Sequence, residues 1–156
     1  MEFTITPATT NQRPKVELPN QEILSLIGED GMRTLINEHY ELLKESSIKD
    51  IFPPEGKALE MAKKHAADFF IQICGGPRYF DQSRGAPRMV ARHAPFKITP
   101  EGRIVWLEKY AEVLKTLEIP ENVLKSFWNY LDIFSIWMIN TPSQSNSISS
   151  TSFSQR

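Results

Sequence analysis

Three short stretches between Gly75 and Trp106 concentrate residues able to do chemistry. They are Gly75-Gly76-Pro77, Arg84-Gly85-Ala86-Pro87 and Arg92-His93-Ala94-Pro95-Phe96, with His93 thirteen residues before Trp106. Glycine admits backbone conformations closed to other residues, and proline fixes its own φ and removes a donor. A histidine bounded by both is held by backbone restriction instead of by a long helix, so its ring can be fixed against a flat cofactor. Imidazole nitrogen is a common metal donor. His93 is thus the leading candidate for a metal ligand; taken by itself, the position also reads as a loop histidine with no metal.

Every segment longer than ten residues around these stretches has a helical period, and no run shows the strict alternation of a half-buried strand. The fold class predicted is all-α. A first helix is expected from about Gln21, with Asn20 as N-cap, to Gly28, and a second from Gly31 to Glu45. In the second, Met32, Leu35, Ile36, His39, Tyr40 and Leu43 follow i, i+3, i+4, i+7 spacing, which turns His39 and Tyr40 inward. Ile51-Phe52-Pro53-Pro54 breaks the pattern and leaves Phe52 at a corner. A third helix, Lys57 to Cys74, aligns Ala58, Ala62, His65, Ala66, Phe69, Phe70 and Ile73, with Lys63, Lys64 and Asp68 facing away. Thr99-Pro100-Glu101 supplies a capping hydroxyl and a proline at the first helical position of a fourth helix to about Leu117, carrying Trp106 and Tyr110 inward. After Pro120 a fifth helix carries Val123, Leu124, Phe127, Trp128, Leu131, Phe134, Ser135 and Met138. Two helices before the glycine-rich segment and two after it can pack as a pair crossing a pair, with a slot between them.

Residues 1–19, with Pro7, Pro14 and Pro19, read as an extended N-terminal arm, 20–140 as the domain, and the Ser-rich run 141–156 as a disordered tail. A chain of 156 residues, 40% hydrophobic and 24% charged, suits one soluble domain. The formal net charge of −1 gives no basic footprint for nucleic acid. No apolar run approaches the roughly 20 residues of a membrane span, and no signal peptide is recognisable, so a cytoplasmic location is expected. Cys74 is the only cysteine and reads as a small buried hydrophobe. The chain carries no glycine-rich strand-to-helix turn for flavin or nicotinamide, so any reductase is a separate partner.

From about Ile27 to Asn140 the sequence resembles the group II truncated haemoglobins. The residues that carry the resemblance are Tyr40, Phe52-Pro53, Phe69, Gly75-Gly76-Pro77, Tyr79, Arg84-Gly85, Pro87-Arg88, Arg92-His93-Ala94-Pro95-Phe96 and Trp106, in that order. The resemblance implies a truncated globin, a two-over-two helical sandwich enclosing haem b. It implies His93 as the proximal iron ligand, with Tyr40 and Trp106 directing O–H and N–H groups at a bound ligand, and Phe52 packed on the porphyrin. Phe69 and Met89 would line the haem faces, Arg92 with Tyr79 or Arg88 would approach the propionates, and Ala62, Ala66 and Phe96 would complete the haem contacts. On spacing alone Tyr40 and Trp106 are core aromatics, and Phe52, Phe69 and Met89 are core residues under either reading.

His39 and His65 depart from the usual pattern of this family, and Ala62 and Ala66 are small near the expected ligand. Adjacent helical residues project about 100° apart, so His39 and Tyr40 cannot both point at one atom. The expectation is that His39 and His65 face each other as a polar gate around Tyr40; a stronger form has His65 or Tyr40 binding iron reversibly. The bland alternative is two partly exposed histidines at helix edges.

The function implied is binding of O2, NO, CO and other small ligands in a redox, sensing or scavenging role, since several donors favour slow release over bulk oxygen transport. The enzymatic alternative is a haem peroxidase or nitric oxide dioxygenase, and the remote one a non-haem helical regulatory module. A monomer or weak homodimer is expected.

Overall fold

Proline and glycine set where the helices of this chain begin and stop. The computed structural model describes residues 1–143. Four long helices and two short ones follow in order: α1 (Glu22–Leu43), α2 (Lys57–Ile73), α3 (Tyr79–Arg84), α4 (Met89–His93), α5 (Pro100–Leu114) and α6 (Glu121–Ile136), with a 3₁₀ turn at Lys49–Ile51. Among the described residues there is no strand. The expected break at Gly28 is a kink inside α1, where the glycine takes φ 74°, ψ 172°. Asn20 acts at that helix start, its Oδ1 accepting the Glu22 amide. The Thr99 hydroxyl accepts the Gly102 amide and Pro100 occupies the first turn of α5, as the capping pattern predicts.

The core is built from one stripe of each long helix. Met32, Leu35 and Ile36 of α1 meet Ile71 of α2, Leu107 and Leu114 of α5, and Phe127 and Trp128 of α6, all at 0–1% exposure. Burying each such side chain contributes about 1.5–3 kcal/mol, against the entropy of ordering it. Helix α1 packs on α2, α5 and α6, α5 on α6, and α2 on the short α3. The pairs α1/α2 and α5/α6 are the two layers of a two-over-two sandwich, and α3 and α4 close one side of the space between them.

Two details of the expected α2 are corrected. Its apolar stripe begins at Leu59, which is buried, whereas Ala58 is exposed. Asp68 does not face away: it is 1% exposed, its two oxygens taken by Arg33 of α1 at 2.8 Å and Lys64 at 3.0 Å. Burial pushes this carboxyl up, and the hydrogen bonds from Arg33 and Lys64 outweigh that and hold it below the usual range. Cys74 is buried, as expected, and burial raises its thiol to about 12.

Residues 1–19 lie extended across α5 and α6. Trp128 Nε1 donates to the Thr4 carbonyl and Trp137 Nε1 to the Pro14 carbonyl, both at 2.8 Å. Thr6 reaches deeper, donating its amide and hydroxyl to the two oxygens of Asp132 at 3.0 and 2.7 Å. Asp132 in turn pairs with the buried Arg103 of α5 at 2.6 Å, and Arg103 also donates to Ser135 Oγ and the Thr6 carbonyl, each at 2.8 Å. The expected serine-rich tail falls mostly at 144–156, outside the described residues.

Candidate functional site

Between the two helical layers lies a cavity of about 520 Å³. Its walls are mostly aromatic and aliphatic: Phe52, Phe69, Phe70, Phe80, Met89, Phe96, Phe134 and Met138 among others. A further lobe of about 260 Å³ shares Tyr40, Phe52, Ala62, His93, Phe96 and Trp106 and extends to Ile48, Ile51, Ile98 and Arg103. Large apolar concavities with a few placed polar groups are the usual form of a small-molecule or cofactor site.

His93 reaches this cavity from the last residue of α4. Its Nδ1 lies 2.6 Å from the Met89 carbonyl, and since a carbonyl only accepts, that nitrogen carries the proton. The Nε2 lone pair is left with no protein partner. The short helix is pinned from both ends. Arg92 donates to the Arg84, Ala86 and Pro87 carbonyls at 2.8, 3.0 and 2.6 Å while lying 5.1 Å over the Phe80 ring. On the other side Asn140 Nδ2 donates to the Phe96 carbonyl at 2.7 Å and to that of His93 at 3.4 Å. The glycine and proline stretches therefore hold His93 through side chains that satisfy their carbonyls.

The opposite wall comes from α1, α2 and α5. Tyr40 stands edge-on to Phe52 at 5.7 Å, and burial raises its hydroxyl to about 12, so it stays a donor at any ordinary pH. Trp106 stands edge-on to Tyr110 at 4.7 Å, one helical turn along α5. The hydroxyls of Tyr40, Tyr110 and Tyr130 and the indole N–H of Trp106 all belong to cavity-lining residues and, among the described residues, donate to no protein acceptor. Ala62 and Ala66 line the same cavity and are half-buried.

His39 is buried at 1% exposure and stacked on Tyr110, with ring centroids 3.4 Å apart and planes at 17°. Its Nε2–H donates to the Trp106 carbonyl at 3.0 Å. Burial lowers its pKa to about 3, against the opposing effect of that bond, so the ring is neutral and Nδ1 is an acceptor with no partner. His65 is half-buried and its Nδ1 accepts from Arg84 Nη1 at 2.8 Å. Burial and then the Arg84 charge lower its pKa. Both histidines line the cavity, but their bonded nitrogens are taken by different elements, so they make no direct pair of the kind expected from sequence.

Of the other expected contacts, Phe52, Phe69, Met89, Arg92 and Phe96 line the cavity, whereas Tyr79 and Arg88 do not. The Tyr79 hydroxyl donates to Glu29 at 3.0 Å, under the Arg33 guanidinium, which draws it to α1. Arg88 sits before α4 with a left-handed backbone, φ 43°, and its side chain is solvent-exposed. Sequence reasoning did not place Tyr110, Tyr130 or Arg84 in the site. For Tyr110 the signal was present, because it is four residues after Trp106 on one helix.

Among the described residues no group of three or more His, Cys, Asp or Glu side chains could hold a metal. A metal at His93 must therefore bring its other ligands with it, as a porphyrin does for iron. The free Nε2 and the large, aromatic-walled space fit that group. Were haem bound, His93 would hold the iron, and Arg92 and Arg84 at the cavity edge carry charge suited to its propionates.

Comparison with known proteins agrees with this geometry. Residues 23–140 match the model of the family described as Bacterial-like globin. The group 2 truncated haemoglobin YjbI of Bacillus subtilis is 29% identical over 115 residues, 73% of this chain and 85% of that protein. The crystal structure of phosphate-bound Hell's gate globin IV superposes with a TM-score of 0.81 at 36% identity, covering 90% of this chain and 88% of that one. The group II truncated haemoglobin of Bacillus anthracis gives a TM-score of 0.72 at 25% identity, covering 77% and 97%. The family's fold, a histidine with a free Nε2 in an aromatic-walled slot, and cavity-lining donors without a protein acceptor converge: this chain belongs to the bacterial-like globins and is a truncated haemoglobin of the group II, two-over-two kind.

Proposed function

We propose that this chain binds haem b through His93 and uses it to hold O2, NO or CO in a redox, sensing or scavenging role. The observation that carries the reading is the pairing of a free imidazole Nε2 with unpaired hydroxyl and indole donors lining one cavity. Bound haem supplies an iron atom able to take a diatomic ligand. The protein's part is to orient His93 through the Met89 carbonyl and to offer Tyr40 O–H and Trp106 N–H as donors. The mostly apolar walls lower the local dielectric around these groups, which strengthens each donor. A ligand that gains negative charge on binding is held longer by two such donors, so fast-exchange oxygen transport fits this pocket poorly.

His39 contributes by fixing the Trp106 backbone and by keeping an uncharged acceptor beside Tyr110. A second reading, turnover as a peroxidase or nitric oxide dioxygenase, needs a group that moves protons at the cavity, and half-buried His65, whose Nε2 has no protein partner, suits that task better than His39, which stays neutral down to about 3. A cytoplasmic protein, monomeric or weakly dimeric, reduced by a separate reductase, completes the proposal. Among the described residues no helix is long and apolar enough to cross a membrane.

Absorption spectra of the purified protein, ferric and then dithionite-reduced, beside His93→Ala test it. A Soret band that weakens or shifts in the variant supports His93 as iron ligand, and a low-spin six-coordinate form would point to His65 or Tyr40 as an internal ligand. Absence of a Soret band after haem is added sinks the reading and favours a haem-free regulatory module. Steady consumption of peroxide or nitric oxide with an electron donor distinguishes enzyme from binder.

A further inference from the structure

A hollow of about 340 Å³ lies outside the cofactor cavity and its lobe and shares no lining residue with either. The N-terminal arm forms one side with Thr10, Asn11 and Arg13, the α4 segment gives Val90 and Ala94, and Trp137 and Ile139 after α6 close it. The arm is shaped for this. Gln12 Oε1 accepts the Thr9 amide at 3.0 Å, and Asn11 turns the chain with a left-handed backbone, φ 64°, a conformation asparagine tolerates. Trp137 Nε1 donates to the Pro14 carbonyl at 2.8 Å, and Arg13 lies 5.3 Å over the same indole, so a tethered ring places the guanidinium.

Among the described residues Arg13 has neither ion pair nor hydrogen bond, and the Thr10 hydroxyl and Asn11 side-chain amide have no partner. No Asp or Glu lines the hollow among the described residues, and residues 3–16 and 133–156 contain none. Uncommitted donors with an uncancelled charge, set beside aliphatic side chains, suit a compact anion with an apolar body. Guanidinium matches a carboxylate bidentately, and the hydroxyl and amide can serve its remaining lone pairs. The hollow also backs onto the helix that ends at His93: Val90 and Ala94 flank that residue, and Asn140, in the same wall, donates to the Phe96 and His93 carbonyls.

We propose that this hollow binds a small organic carboxylate and that its occupation stiffens the segment carrying His93. A ligand held by Arg13 and packed on Val90 and Ala94 ties α4 to the arm, so local opening of α4 must release it. The site stands apart from the haem reading, since none of its residues lines that cavity.

Saturation-transfer NMR titration of the full chain with benzoate tests the site. Benzamide keeps the ring without the charge and should bind on the order of tenfold more weakly, as should benzoate to Arg13→Gln. Lys125→Gln, which removes an exposed cation on α6, should bind benzoate like the parent. At roughly ten times the dissociation constant, amides of residues 89–96 should exchange on the order of tenfold more slowly, while those of α2 keep their rate. Equal binding of benzoate and benzamide, or of benzoate to parent and Arg13→Gln, overturns the site, as does equal weakening by Lys125→Gln. Benzoate lodged in the cofactor cavity would survive Arg13→Gln and counts as that failure. Unchanged exchange over 89–96 at this benzoate level overturns the coupling to His93. An Arg13→Gln chain that keeps the parent's urea midpoint still has its arm docked, so lost binding is then loss of the guanidinium; where the midpoint moves, the benzoate and benzamide comparison in the parent decides.

Discussion

The two walls of the cavity are held by different physics. The wall made by α1, α2 and α5 owes its positions to burial: His39 and Tyr110 are each at 2% exposure or less, and the half-buried Tyr40 and Trp106 pack against them. The His93 wall is a short helix in a half-exposed segment, with no fully buried residue in α4, held by side chains that donate to loop carbonyls. A buried wall resists local opening, whereas a hydrogen-bonded loop can open without unfolding the core. Placing the candidate ligand donors on the first and the candidate iron ligand on the second lets distal geometry stay fixed while the proximal side adjusts.

The largest effect should come from breaking the buried side at its ion pair. Asp132→Ala would leave Arg103 buried without a countercharge and strip Thr6 of both its acceptors, costing about 3–5 kcal/mol in urea unfolding. A loss under about 1 kcal/mol would show that water or the arm replaces the carboxylate, and that burial is a weaker constraint here than the contrast requires. On the exposed side Arg92→Ala should cost about 1–2 kcal/mol, and locally: amides of residues 84–96 should exchange on the order of tenfold faster while those of α5 stay unchanged. Arg92→Lys keeps the charge without the fork and should not restore protection. Uniform acceleration over both walls would erase the distinction between them.

Smaller again is the change expected from one donor. Tyr40→Phe keeps the contact with Phe52 and removes only the hydroxyl, so on the haem-loaded protein the O2 off-rate should rise on the order of tenfold, or about 1.4 kcal/mol. An unchanged rate would mean that the Tyr40 hydroxyl does not reach the ligand.

Much of the helical frame was legible because its punctuation is local. Pro53, Pro100 and Pro120 act through missing amides, Thr99 through its own hydroxyl, and the apolar stripes through a period that needs no partner. What escaped was set by distant partners. Asp68 reads as a surface residue until Arg33, thirty-five positions away, covers it. Asp132 and Arg103 look like ordinary helix charges until the arm brings Thr6 to them across 126 residues. Tyr79 was drawn to Glu29, fifty positions earlier, instead of to the cavity. His39 shows both limits at once: its inward face follows from periodicity, while its bond to the Trp106 carbonyl depends on how α1 crosses α5.

That same histidine carries the most specific prediction. In the unfolded chain His39 titrates near 6.5, and in the folded protein only near 3, because burial disfavours the imidazolium. Above 6.5 neither state takes the proton and nothing is lost. Between 6.5 and 3 the unfolded chain takes a proton that the folded one refuses, so stability falls as pH falls, at up to about 1.4 kcal/mol per pH unit. His39→Leu removes this proton and the bond to Trp106 together, lowering stability at pH 7.5 but flattening its decline toward pH 4.5. Urea midpoints for parent and variant across that range should therefore converge on acidification. Parallel curves would show that His39 is already reached by water or protons in the folded state, and the wall assigned to burial would then be as open as the one carrying His93.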